Sequence, residues 1–181
     1  WSRRFEGSAP HWRRERWPTP DADFVDVDFC EAQSSGAPGL DHRHRPLLVL
    51  FHGLEGSSSS HSSQAFADWG IRNSCDVAVP HFRGCSGTLN LMPRAYHSGD
   101  HEEVDHLLNQ FKQRVDAQSR PGLVAAGVSL GGNALMRWAG EHGQSAQQVV
   151  KAIATICEPL DLTASGKAIG EGFNRQVYTR M

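Results

Sequence analysis

No stretch of the 181 residues approaches the ~18 consecutive apolar residues of a membrane span, so stable membrane insertion is not expected. The four cysteines, Cys30, Cys75, Cys85 and Cys157, include no C-x-x-C pair. They read as free thiols of a reducing compartment rather than as a disulfide framework. Neither sign of charge dominates. The formal net charge is -2, which argues against a nucleic-acid partner held by bulk charge. There is no internal repeat, and no signal-peptide pattern in residues that begin at Trp1. These absences point to a cytoplasmic protein. What is present is 39% hydrophobic residues, enough for the core of a single domain over 1–181.

The chain starts with Arg3, Arg4, Arg13, Arg14 and Arg16, interrupted by Glu6 and Glu15. Residues 1–20 read as a solvated arm rather than a binding patch, although Arg14 to Trp17 can form a short strand. In Phe24 to Phe29, Val25, Val27 and Phe29 alternate with Asp26 and Asp28, which predicts a half-buried strand near a sheet edge. Glu31 to Arg45, with Gly36, Pro38 and Gly39, reads as a loop. Leu47-Leu48-Val49-Leu50-Phe51 is a short apolar run that fits a strand buried on both faces. Ala65, Phe66 and Trp69 mark a short helix ending near Gly70, and Cys75 to Pro80 a further strand. Val104, Leu107, Leu108, Phe111 and Val115 follow at helical spacing, and Asp100 with Glu103 looks like a capping pair. Leu123 to Ala126, a helix to about His142 and a strand over Val149–Cys157 complete the pattern. Leu160 to Met181 fits no single element. Strands alternating with helices predict a mostly parallel sheet with helices on both faces.

Between the strand at Leu123 and the helix from Asn133 lies Gly127-Val128-Ser129-Leu130-Gly131-Gly132. This is a Gly-x-Ser-x-Gly pattern in the strand–turn–helix context that gives it meaning. Gly127 and Gly131 leave room where strand and helix approach closely, and the turn pushes the Ser129 hydroxyl out of the sheet. A dinucleotide fingerprint would need a glycine where Ser129 stands, and a phosphate loop would need a lysine in the turn. Both fit worse than a nucleophile.

A serine nucleophile needs N–H donors for the oxyanion, a base, and an acid to orient the base. One donor is the N–H of Leu130. The other is expected from His52-Gly53-Leu54-Glu55-Gly56, where Gly53 lets the chain turn and the Leu54 N–H faces the serine. His52 then braces that loop. The base is harder to find. Of ten histidines only His142 follows Ser129, and it lies on the helix after the turn. His81 stands at a strand end. His97, His101 and Asp105 are four apart, a spacing a metal could use, but read more simply as a solvated helix face. His42 and His44 lie in a polar loop, and His11, His61, His106 and His142 read as surface residues. Asp161 sits just past a strand end, where a triad acid or an ordinary turn residue would serve equally well. No metal or other cofactor is expected.

Several blocks occur in one order: Leu50-Phe51-His52-Gly53-Leu54-Glu55-Gly56-Ser57, His81-Phe82-Arg83-Gly84-Cys85-Ser86-Gly87, Arg94-Ala95-Tyr96-His97-Ser98-Gly99-Asp100 and the Ser129 turn through Asn133. With Pro159-Leu160-Asp161-Leu162 and Gly172-Phe173-Asn174-Arg175, the chain from about Trp17 resembles the YheT-like branch of the α/β-hydrolase superfamily. The resemblance implies an α/β-hydrolase fold of eight mostly parallel strands. It implies hydrolysis of carboxylic esters, including acylglycerols or phospholipids in some members, so the expected partner is a small-molecule or lipid ester. It assigns Ser129 as nucleophile and Leu54 and Leu130 as backbone donors; Asp100 also matches a motif of the branch, but its place at a helix start suggests a structural role. Members of the branch continue through a cap region and two further strands carrying the acid and the histidine. On that basis residues 160–181 are expected to begin the cap. The triad acid and histidine are expected beyond Met181, and the sheet is expected to lack its last strands. The strand Val149–Cys157 would then be an open, aggregation-prone edge. Two other functions share these residues: a non-catalytic binding protein of the same fold, and acyl transfer to an alcohol. Oligomeric state is not legible.

Overall fold

The computed structural model describes residues 9–31 and 42–178. Arg3, Arg4, Glu6, Gly36, Pro38, Gly39 and Met181 lie outside the described residues, as does the side chain of His42. The strands are β1 (Arg13–Pro18), β2 (Phe24–Cys30), β3 (Leu47–Phe51), β4 (Asp76–Pro80), β5 (Leu123–Val128) and β6 (Ala152–Ile156). The helices are α1 (His61–Arg72), α2 (His101–Ala117), α3 (Leu130–His142), α4 (Ala146–Val149), α5 (Leu162–Ile169) and α6 (Gly172–Tyr178). They form one sheet of order β1-β2-β4-β3-β5-β6, in which β1, β2 and β4 pair antiparallel and β4, β3, β5 and β6 run parallel.

Strand alternation divides the core in two. Leu47, Val49, Phe51, Leu123 and Ala125 face α2 and α3, where Leu108, Phe111, Leu135 and Trp138 are buried. Leu48, Leu50, Val77, Val79 and Ala126 face the other way, toward Ala67 of α1. The helical spacing read from Val104 to Val115 is the buried face of α2, as expected. Helices therefore cover both faces, a consequence of right-handed crossovers. The step β3–α1–β4 moves one way along the sheet, and β4–α2–β5 and β5–α3–β6 move the other, so their helices fall on opposite sides.

Four local expectations need correction. β2 lies near the sheet edge as expected, second from it, but it is fully buried rather than half-buried. β1 lies outside it, and Asp26 and Asp28 are both 2% exposed. Their charges are met by bidentate bonds from Arg16 and Arg14 of β1. The last part of the expected arm is thus a strand whose arginines neutralise its neighbour. Asp100 and Glu103 do not form a capping pair: Asp100 makes no side-chain cap bond and accepts from Arg94, while Glu103 accepts from Arg83. β6 starts at Ala152, because Ala146–Val149 continues the helical turn after α3. Residues 162–178 form two short helices.

β6 is the outermost strand on its side. On the α1 face an open groove of about 420 Å³ runs beside it, lined by Leu48, Phe66, Trp69, Val124, Ala126 and Ala154.

Candidate active site

The strand order reverses direction around the adjacent strands β3 and β5, so the loops at their C-terminal ends leave toward opposite faces, the place where open α/β sheets bind their ligands. The two sequence motifs occupy those two loops.

Ser129 follows β5 with φ 51° and ψ -116°, a left-handed backbone that a non-glycine residue adopts only when its surroundings impose it. Its N–H donates to Ile156 O (2.8 Å) and its carbonyl accepts from Asn133 N–H (3.0 Å), so the turn is tied to both β6 and α3. The side chain makes no capping bond to the helix it precedes. The two glycines are required by contact. A Cβ at Gly127 would lie 2.6 Å from Gly131 O, and one at Gly131 would lie 2.3 Å from Phe51 O. Gly131 is therefore where α3 presses on the end of β3. The N–H of Leu130, in the first turn of α3, has no acceptor within the helix.

The loop after β3 reaches the same place. A Cβ at Gly53 would meet Ser129 Cβ at 3.4 Å. Gly53 to Gly56 is a tight turn closed by Gly56 N–H to Gly53 O (3.0 Å), with Glu55 at φ 53°. Glu55 N–H donates to Tyr96 Oη (3.0 Å). The turn leaves the Leu54 N–H unused, and Leu54 is 68% exposed.

His52 stands at the root of this loop. The ring is fully buried. Its Nε2 accepts from Phe82 N–H (3.0 Å), which leaves the proton on Nδ1, donated to Gly53 O (2.7 Å). Burial, partly offset by the Gly53 bond, pushes its pKa down to about 4. His52 is therefore a neutral strut with both nitrogens committed, not a base. Gly56 is small because a Cβ there would lie 2.8 Å from His52 Nδ1.

Behind the loop lies a buried cluster that the sequence reading did not find. Asp28 accepts from Arg14 Nε (2.7 Å) and Nη2 (2.8 Å), from Ser58 Oγ (2.6 Å) and from His81 Nε2 (2.8 Å). Burial opposes its charge, but these donors outweigh burial and hold the carboxyl well below the usual range. The next residue after His81 is Phe82, whose ring packs on His52 and stacks on Tyr96. Ser58 belongs to the serine run, read from sequence only as a loop. Two acids alternating with apolar residues in one strand, and arginines alternating in the preceding one, were the available signal.

The long segment between β4 and α2 is fastened by buried charges. Arg83 pairs with Asp21, Asp23 and Glu103. Asp23 also accepts from the N–H groups of Phe24, Leu91 and Met92 and from Asn90. Burial opposes its ionisation, yet those bonds bring its pKa down to about 2.

The remaining candidates are dispersed. His97 and His101 bond Ser98 O and Gly99 O, while Asp105 accepts from Trp138 Nε1 and faces His142, so the metal spacing is not used as a cluster. Asp161 caps α5 by accepting from Ala164 N–H (2.8 Å), the turn reading rather than the triad one. Among the described residues no histidine ring bonds Ser129. The four cysteines are free, and burial pushes Cys30 and Cys75 up to about 11. No described helix is long and apolar enough to cross a membrane. An open hollow of about 810 Å³ lies beside α3, between Gly99, Met136, Arg137, Leu160 and Leu162.

A family profile described as alpha/beta hydrolase fold matches residues 46–177. The Escherichia coli (strain K12) protein named Putative esterase YheT is 34% identical over 172 residues, which cover 95% of this chain and 46% of that protein. Phospholipase ABHD3 of Mus musculus is 27% identical over 151 residues, 80% of this chain and 34% of that protein. Among solved structures, the Pyrococcus furiosus esterase Pf2001 superposes with a TM-score of 0.66 at 16% identity, over 94% of this chain and 61% of that one. The chain spans less than half the length of these two sequence relatives.

Proposed function

Since the chain belongs to the alpha/beta hydrolase fold family, with most of its length similar to YheT, we propose that it carries the nucleophile of a serine hydrolase acting on carboxylic esters. Ser129 Oγ attacks the ester carbonyl carbon, and the Leu54 and Leu130 N–H groups receive the oxyanion. A base takes the Ser129 proton as the new bond forms and gives it to the leaving oxygen as the carbon–oxygen bond breaks, which releases the alcohol and leaves an acyl group on Ser129. Water then adds to the acyl carbon and frees the acid. The observation that carries this reading is the convergence of two strained loops. Ser129 at φ 51° stands against Gly53, with its hydroxyl unused by the helix cap.

The base and its acid come, on this reading, from residues beyond Met181. Support comes from the engagement of His52 and His81 elsewhere. Short- or medium-chain acyl esters and acylglycerol-type lipids are the substrates proposed, and the exposed apolar side chain of Leu54, beside the proposed donor N–H, suits an acyl chain. The mammalian relative named a phospholipase supports the lipid end of that range. The four free thiols fit a reducing, cytoplasmic setting.

The test is covalent labelling of the full-length protein by a fluorophosphonate probe, with Ser129→Ala as control. Labelling of Ser129, lost in the variant, supports the hydrolase. An unlabelled wild type sinks it in favour of a binding protein of the same fold, a reading motivated by the lack of a base beside Ser129 among the described residues. Product analysis with a competing alcohol separates hydrolysis from acyl transfer.

A further inference from the structure

We propose that Asp28 is a positioning residue for the oxyanion loop: through Ser58 and His81 it fixes the two ends of the structure that holds the Leu54 N–H beside Ser129. The proposal rests on the hydrolase reading for its catalytic meaning, but its structural content can be tested without it.

The loop from Gly53 to Ser60 contains few bonds that would orient it against the sheet. Its internal bonds are the turn Gly56 N–H to Gly53 O and contacts within the serine run, such as Ser57 N–H to Ser60 Oγ (2.8 Å). Those bonds shape the loop without placing it. Placement needs bonds to other elements. His52 ties its root to Phe82 N–H, Tyr96 Oη holds Glu55 N–H, and Ser58 Oγ donates to Asp28 Oδ2. Ser58 is 7% exposed in an otherwise accessible serine run, so this bond is made out of water.

Asp28 joins two of these tethers. It binds Ser58 directly, and it accepts from the ring of His81, whose chain neighbour Phe82 supplies the N–H that His52 accepts. The carboxylate stays charged because Arg14 meets it in bidentate fashion, and Arg14 also donates to Ser86 O (2.9 Å) in the loop after His81. A charged, four-bonded acceptor at the centre of a strand is stiff. Its rotamer is over-determined, and so are the groups that point to it. No atom of this cluster is placed against the nucleophile. Its influence on the reaction runs through the loop backbone.

The experiment compares the full-length wild type with Asp28→Asn, Ser58→Ala and Ser58→Thr in the same full-length protein. Two readouts are taken: amide hydrogen exchange over residues 53–58, and steady-state kinetics on an activated acyl ester. Displacing a donor costs less than removing one, so Asp28→Asn and Ser58→Ala are expected to lower kcat about tenfold. KM should stay within about twofold, because the donor acts on the oxyanion and not on the bound ester. Exchange over 53–58 should rise about tenfold while the amides of α2 are unchanged, and Ser58→Thr should restore both. Unchanged exchange and unchanged kcat overturn the proposal. So does a rise in KM alone, which would mark a binding role. If Asp28→Asn does not fold, Ser58→Ala removes one bond only and decides alone. If the wild type neither labels nor turns over, the hydrolase reading falls. The exchange data then still uphold or overturn the tethering.

Discussion

The two edges of the sheet are built on opposite principles. At the β1–β2 edge, polar chemistry is taken inside: Asp26 and Asp28 are buried, and Arg14 and Arg16 close over them. Arg16 and Arg114 lie over the rings of Phe24 and Phe29. At the β6 edge the strand Ala152–Ile156 carries no ionisable side chain, and its α1 face opens into an apolar groove. Ser129 stands between them, fed by a loop anchored to the first edge and a turn bonded to the second. The difference teaches which half of the site is preset. Buried ion pairs add little net stability, but they are costly to break and so hold geometry. An apolar strand edge holds geometry only when something covers it.

The comparison can be broken at several points. Asp28→Ala leaves His81 Nε2 without its acceptor and Arg14 without its carboxylate. It should cost about 3–5 kcal/mol in chemical denaturation. A loss below about 1 kcal/mol would show that the polar edge is ornamental. Gly131→Ala attacks the seam between the halves, since its Cβ would meet Phe51 O at 2.3 Å. A destabilisation of about 1–3 kcal/mol is expected, with exchange raised on both sides of the seam.

Acid should dissolve the polar side in two stages. His52, Asp23 and Glu15 are all depressed in the fold. Their stabilisation is therefore present above the unfolded value and lost as pH falls to the folded one. For His52, held near pH 4 by burial, the loss runs from about pH 6.5 downward. Asp23 is held near 2 by its bonds to Leu91, Asn90 and Met92 against burial, and Glu15 is held near 2 chiefly by Arg114. Their loss follows between about pH 4 and 2. Melting temperature against pH, with limited proteolysis to locate cleavage, reads both stages. First cuts near β6 would reverse the assignment. The smallest effect is expected from Ile156→Lys, 41% exposed on the open strand. Stability should change by less than about 0.5 kcal/mol while light scattering falls, because an edge lysine discourages strand addition.

What the sequence made legible followed from local periodicity. The apolar run at Leu47, the spacing from Val104 to Val115 and the glycines around Ser129 each constrain nearby backbone, and each stands where expected. What it hid was pairing at a distance. Asp26 and Asp28 resemble the wet face of an edge strand because alternation cannot say what lies across the ladder. The answer, Arg14 and Arg16, sat in a segment whose charges looked solvated. Asp100 and Glu103 have the spacing of a cap, yet Arg83 and Arg94, brought in by the long segment after β4, capture them first. Ser58 was one serine among four until a buried carboxylate selected it.

The positive φ of Ser129 has a consequence for how this chain tolerates change. Glycine adopts that backbone freely, so Ser129→Gly would relieve on the order of 1 kcal/mol of strain while deleting the hydroxyl. The most comfortable residue for the turn is one that cannot react. A drift toward thermal robustness at this position would therefore remove the hydroxyl, and keeping serine there means accepting a less stable fold for the sake of that group.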